Sequence, residues 1–215
     1  MPEIKPKQVA AERKKKMKKT LIFIMILTMG VITGIPATMV NAESVKTIYV
    51  STTNGNNQST GETEATAVKT LATAYSKLNG NGNIVLLDNI TYSEAPAAYT
   101  GNISIKGKTS EVQLTLPSTV SIKGNLEIDN VKLLTKSTIY ANGYKLVIGN
   151  NVTSESRLTV YGGKASASVT STDITLLGGL YERVYGGGNS GAVSGNTNVV
   201  FGGNWADCQV KCNTF

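Results

Sequence analysis

The chain has 215 residues and a formal charge of +7. Residues 1–42 hold 8 Lys/Arg and 2 Asp/Glu, and the remainder holds 13 and 12, so the net charges are +6 and +1 and no basic surface for nucleic acid remains after the first segment. The lack of any His removes His-based triads and His zinc sites, and two Cys cannot build a disulfide framework.

The first segment has the order of a secretory leader. Arg13 to Lys19 is a positive run, Leu21 to Ile35 is uncharged and apolar, and Pro36 breaks any helix. Val40-Asn41-Ala42 then offers the small or tolerated residues a signal peptidase reads. The sequence predicts a signal peptide over 1–42, translation from Met1 or Met17, and a mature, exported chain from Glu43. An uncleaved signal anchor is the alternative, although the apolar core is shorter than the roughly 20 residues of a span. Contact with a membrane is expected only through this leader.

Residues 43–83 are predicted to hold a strand, a loop and a capping helix. Ile48-Tyr49-Val50 reads as a strand, and Ser51 to Gly61 as a polar loop rich in turn residues. A helix is expected over about Ala65–Leu78, because Val68, Leu71, Ala72, Tyr75 and Leu78 fall on one apolar stripe. Thr63 or Thr66 would cap its start, and Asn79-Gly80 its end.

Residues 84–207 carry only strand signals. Short groups such as Ile84–Leu87, Ile103–Ile105, Val112–Leu116, Val120–Ile122 and Leu126–Ile128 alternate apolar and polar residues, with turn residues between them. Val131–Leu134, Leu146–Ile148, Leu158–Val160, Ile174–Leu177 and Val199–Phe201 continue the series. Val160-Tyr161-Gly162-Gly163 recurs 24 residues later as Val184-Tyr185-Gly186-Gly187, with 8 identities across the 24. Gly101–Ile105 likewise resembles Gly124–Ile128 at an interval of 23. Repeats of this length built from short strands stack into a solenoid, since no single coil can bury its own apolar face. The expected fold is all-β, a right-handed parallel β-helix with an N-terminal capping helix; an irregular β-sandwich is the rival. The repeat predicts that Val160 stacks on Val184 and Leu176 on Val200.

These residues also carry a resemblance. Ile48-Tyr49-Val50-Ser51, the Asn-Gly loop, Gly61, Val68–Ala72 and Ile84–Leu87 resemble the opening segment of secreted pectate-lyase-like β-helix proteins. The Gly-Gly-x-Tyr-x-x-Val-Tyr-Gly-Gly-Gly run at 178–188 is similar to repeats in surface proteins of Gram-positive bacteria. The resemblance implies that the helix covers the open N-terminal end of the solenoid, and that the chain is an adhesin-like surface repeat protein or a polysaccharide lyase or hydrolase. For a lyase it implies clustered Asp/Glu holding calcium, with an Arg or Lys as base.

The residues give that chemistry little support. Arg157 and Arg183 are the only Arg of the mature chain, and its acids are scattered. Glu127 and Asp129 share one face of a strand and could hold an ion or flank a sugar, although solvated outer-face positions are the simpler account of them. Gly186-Gly187-Gly188-Asn189 lacks the Lys-Ser/Thr and the helix of a phosphate loop. Tyr161, Tyr181, Tyr185 and Trp205 recur at related repeat positions, and such a row suits either carbohydrate contact or packing at coil corners. No catalytic residue, cofactor or metal is expected. Cys208 and Cys212 form a lone Cys-x-x-x-Cys. Residues 208–215 are expected to depart from the repeat, as a truncated, non-functional gene fragment would, and the C-terminal face to self-associate. The leading expectation is a secreted or cell-surface module with a structural, adhesive or glycan-contacting role.

Overall fold

The computed structural model describes residues 45–202 and the backbone of 209–211. The leader, Trp205, Cys208 and Cys212 lie outside these residues.

In chain order the elements are β1 (Thr47–Val50), a 3-10 turn (Glu64–Thr66), α1 (Leu71–Leu78), β2 (Gly82–Leu86), β3 (Ile90–Thr91), β4 (Asn102–Gly107), β5 (Gln113–Thr115), β6 (Thr119–Ser121), β7 (Asn125–Asp129) and β8 (Lys132–Leu133). They continue with β9 (Thr138–Tyr140), β10 (Lys145–Ile148), β11 (Thr153–Ser154), β12 (Leu158–Tyr161), β13 (Thr172–Leu176), β14 (Tyr181–Tyr185), β15 (Thr197–Phe201) and β16 (Gln209–Lys211). The strands fall into three sheets. Sheet A orders them β1-β2-β4-β7-β10-β13-β15, sheet B β11-β8-β5-β3, and sheet C β16-β14-β12-β9-β6. Strand pairs are parallel throughout. Since the chain visits the sheets in turn, each circuit is one coil of a parallel β-solenoid.

The core is built of stacked columns. Ile48, Ile84, Ile105, Ile128, Ile148, Leu176 and Phe201 follow one another in register in sheet A. Ile90, Leu114 and Leu133 do so in sheet B, and Val120, Ile139, Val160 and Val184 in sheet C. All of these up to Leu176 in sheet A and Val184 in sheet C are buried. Each inward residue therefore packs on its equivalent one strand spacing away, roughly 4.8 Å.

The predicted Val160–Val184 stack is present, and so is the pairing of 102–105 with 125–128. Leu176 pairs with Phe201, not Val200; Val200 is opposite Thr175. The cause is one extra residue between the Val169–Val193 bridge and the Thr172–Thr197 pair. Gln209–Lys211 pairs in parallel with β14, with Val210 opposite Val184; the rest of 208–215, where a departure from the repeat is expected, lies outside the described residues.

The helix is shorter than its periodicity implied. Val68 forms a bridge to Val50, donating its N–H to the Tyr49 carbonyl and accepting from Ser51 N–H, both at 2.9 Å. Pairing with β1 thus takes Val68 out of the helix. Thr70 is the N-cap, its hydroxyl accepting from Thr73 N–H, while Thr63 caps the 3-10 turn. Asn79 closes α1 in the left-handed conformation (φ 52°), as the sequence predicted. Leu71, Ala74, Tyr75 and Leu78 are buried against the first coil, where α1 contacts β1 and β2. Tyr49 also donates to the Gly61 carbonyl at 2.7 Å, so the outer edge of β1 is occupied by 61–68 and is closed to other strands.

Candidate functional site

With the apolar side chains turned inward, function has to reside in what the outward positions do. Most polar side chains there bind the next coil. Asn125 Nδ2 donates to Asn102 Oδ1 at 3.1 Å, and Asn125 Oδ1 accepts from Lys145 N–H at 2.9 Å. Asn142, held at φ 58°, donates to Ser121 Oγ and the Ile122 carbonyl, both at 2.8 Å. Thr135 and Ser137 donate to the carbonyls of Leu116 and Pro117 at 2.6 and 2.7 Å.

The acids are engaged in the same way. Glu127 pairs with Lys106 (3.2 Å), Glu155 with Lys132 (2.6 Å), Glu182 with Lys136 (2.6 Å) and Asp173 with Lys145 (3.7 Å). The Lys136 ammonium holds the Glu182 carboxyl below its usual range. Asp129 accepts from Asn151 N–H at 3.2 Å, so Glu127 and Asp129, although on one strand face, serve different partners. Among the described residues no three of Asp, Glu, Cys or His come together in a metal-ligating group.

Asp88 is the most heavily bonded acid. Oδ2 accepts from Ser51 Oγ (2.6 Å) and Thr53 N–H (3.1 Å), and Oδ1 from Thr52 N–H and Oγ1 (both 2.8 Å). Partial burial raises its pKa, but these hydrogen bonds outweigh burial and bring it to about 2. The group ties the 51–53 loop to the second coil.

The outward face of sheet C carries the most distinctive arrangement. Tyr140, Tyr161 and Tyr185 are in register on β9, β12 and β14. Tyr140 and Tyr161 stack with centroids 5.0 Å apart and planes 10° from parallel, and Tyr161 and Tyr185 at 4.5 Å and 3°. All three are half-buried. Burial pushes the Tyr161 hydroxyl up, and the flanking Tyr185 and Tyr140 add to that. Both faces of the Tyr161 ring are covered by its neighbours, so this row offers ring edges and hydroxyls rather than open ring faces.

Of the predicted row, the structure therefore joins Tyr161 and Tyr185 and removes Tyr181. Tyr181 is 4% exposed, and its hydroxyl donates to the Gly178 carbonyl at 2.7 Å. A register shift explains the difference. Tyr181 pairs with Leu158, whereas Arg183 pairs with Thr159, so Glu182 is the extra residue and Tyr181 takes the inward place of a leucine. Trp205 lies outside the described residues. Tyr140 was missed. Its signal was Thr-Ile-Tyr at 138–140 matching Thr-Val-Tyr at 159–161, at an interval the 24-residue register did not cover.

The arrangement defines a parallel β-solenoid whose outer faces bear inter-coil ladders of asparagine, tyrosine and ion pairs. Comparison with family models, with curated proteins and with solved structures finds no match to this chain.

Proposed function

We propose that this chain is a non-catalytic, exported β-helix module of a cell-surface protein, and that it presents the outward face of sheet C to extracellular glycans. The observation that carries the reading is the tyrosine row. Its hydroxyls and ring edges recur every 4.5–5.0 Å along the coil stack, a spacing similar to the advance per sugar of an extended β-linked glycan. Tyrosine edges combine an apolar body with a polar tip, the combination that sugars meet in contact surfaces. The use of the outward acids and amides to bind neighbouring coils supports a structural rather than a catalytic task.

Export rests on the leader at 1–42, and the kinship with pectate-lyase-like and Gram-positive surface proteins rests on the sequence resemblance, which speaks to fold more than to activity. The reading includes association of chains through the C-terminal face. β15 is the outermost described strand of sheet A, and Val200 on it is 43% exposed.

The test is co-sedimentation of the full chain with insoluble cellulose, chitin and cell-wall sacculi. Retention on at least one, reduced by Tyr161→Ala, is expected. Passage of the chain through all three overturns the glycan reading. Unsaturated or reducing-end products from pectins, with or without calcium, overturn the non-catalytic one. N-terminal sequencing of the exported product checks cleavage before Glu43.

A further inference from the structure

A second outward surface adds the features of a ligand site to a ladder. Two outward columns run side by side on sheet A. One contains Asn102, Asn125 and Lys145, and the other Ser104, Glu127 and Val147. Between them lies a groove of about 360 Å³ lined by these six residues together with Ile103 and Leu126.

Ser104 is the anomaly. It alternates with inward Ile103 and Ile105, so its side chain is on the outer face, yet it is only 8% exposed. Its hydroxyl is buried and has no hydrogen-bond partner. Buried hydroxyls are normally satisfied, and an orphan calls for a cause. In register, Ser104 is flanked by Asn83 and Glu127. The Lys106–Glu127 ion pair next to it is exposed, with 42% and 37% of the two side chains accessible, and such pairs are weak. It can open at little cost, freeing the side chain of Glu127, the register neighbour of Ser104.

We infer that this groove binds a neutral saccharide, with a sugar hydroxyl donating to or accepting from Ser104 Oγ. Vicinal diols need donors and acceptors side by side, because each hydroxyl does both. The groove supplies that set: the Glu127 carboxylate accepts, Lys106 beside the groove donates, the Asn102 amide, whose oxygen is taken by Asn125, donates through its nitrogen, and Val147 gives an apolar patch for C–H groups. The preference for a neutral sugar follows from charge. Lys106 is matched by Glu127, and Lys145 by Asp173 at 3.7 Å, so an anionic ligand that took either ammonium would leave a carboxylate unpaired beside it.

The inference rests on the glycan reading above but places the contact on a different face. Its test titrates the full chain with soluble cellopentaose, chitopentaose and pentagalacturonate by calorimetry, for the wild type and for Glu127→Gln, Ser104→Val and Tyr161→Phe. Binding of a neutral pentamer is expected, about tenfold weaker in Glu127→Gln and in Ser104→Val, as for loss of a hydrogen bond to a charged or buried group, while Tyr161→Phe reports separately on the tyrosine row proposed above. Circular dichroism of each variant confirms that the fold is kept. Binding that survives both groove variants but falls in Tyr161→Phe overturns this inference and leaves the glycan reading in place. Preference for pentagalacturonate also overturns it. No soluble binding together with retention on insoluble glycans sinks the groove alone, and failure of both assays sinks both readings.

Discussion

Asp88→Asn isolates one inter-coil tie whose strength can be worked from the geometry. The carboxylate receives four hydrogen bonds from Ser51, Thr52 and Thr53. An amide keeps a single acceptor oxygen and turns its nitrogen toward one backbone N–H, whose bond is lost, and one hydroxyl, whose bond must reverse, so the charge-assisted set of four is broken. The fall in pKa from 3.8 to about 2 sets an upper bound of about 2.4 kcal/mol on how much the folded state favours the charged form. Asp88 is partly solvated, and screening brings the expected destabilisation at pH 7 to about 1–2 kcal/mol. The sign follows from the folded pKa lying below the unfolded one. The contribution is complete above pH 4 and is lost as pH falls from 4 through about 2. Urea denaturation of both proteins at pH 7, 4 and 2, with hydrogen exchange at Thr52 and Thr53 as a local readout, tests this. The difference between wild type and variant should shrink toward zero at pH 2, with faster exchange at the two amides in the variant at pH 7. An equal difference at all three pH values would mean that Asp88 acts through shape rather than charge, and would refute the reasoning.

Leu71→Asp puts a charge where α1 meets the first coil and should cost about 3–5 kcal/mol, read as a large fall in melting temperature; an unchanged value would mean that α1 does not cover the core. Tyr161→Ala removes two ring contacts and should cost about 1–3 kcal/mol, more than the same change at Tyr140 or Tyr185, each of which loses one. Val200→Lys places a charge on the outer face of β15 and should reduce association of the full chain, measured by light scattering with and without reductant; a wild type that stays monomeric at high concentration would remove the C-terminal association.

Much of this architecture could be read in advance because the core columns are made of Ile, Val and Leu at alternate positions. Val120, Ile139, Val160 and Val184 line up, and Ile103 and Ile105 sit opposite Leu126 and Ile128. β3 and β11 escaped notice because two-residue strands carry no periodicity. β9 escaped because Ile139 is its one inward residue, and β14 because Glu182 and Arg183 obscure its alternation with a bulge. The same bulge is why Tyr181 looked like a surface aromatic. The helix boundary was misplaced because Val68 satisfies two patterns, the helical stripe and a bridge to Val50, and only tertiary pairing chooses between them. The groove at Ser104 had no sequence signal beyond Glu127, since a serine at an outward position is ordinary until its neighbours bury it.

The inward column of sheet A advances by unequal steps. From Ile84 through Ile105, Ile128, Ile148 and Leu176 to Phe201, successive members are 21, 23, 20, 28 and 25 residues apart, yet the register is unbroken. The long steps are taken up at 162–171 and 186–196, the glycine-rich segments between β12 and β13 and between β14 and β15, which stack on one another through Val169 and Val193. Doubling such a loop costs only about 0.6 kcal/mol in closure entropy, whereas one residue added within 103–105 would turn the remaining inward side chains of that strand outward. The chain thereby separates a flank free to diversify from an interior that is not. Even on that flank Asn189 and Ser190 donate their N–H groups to the carbonyls of Lys164 and Ala165 at 3.2 and 2.8 Å, so a longer loop keeps the pitch only if it leaves those two bonds in place.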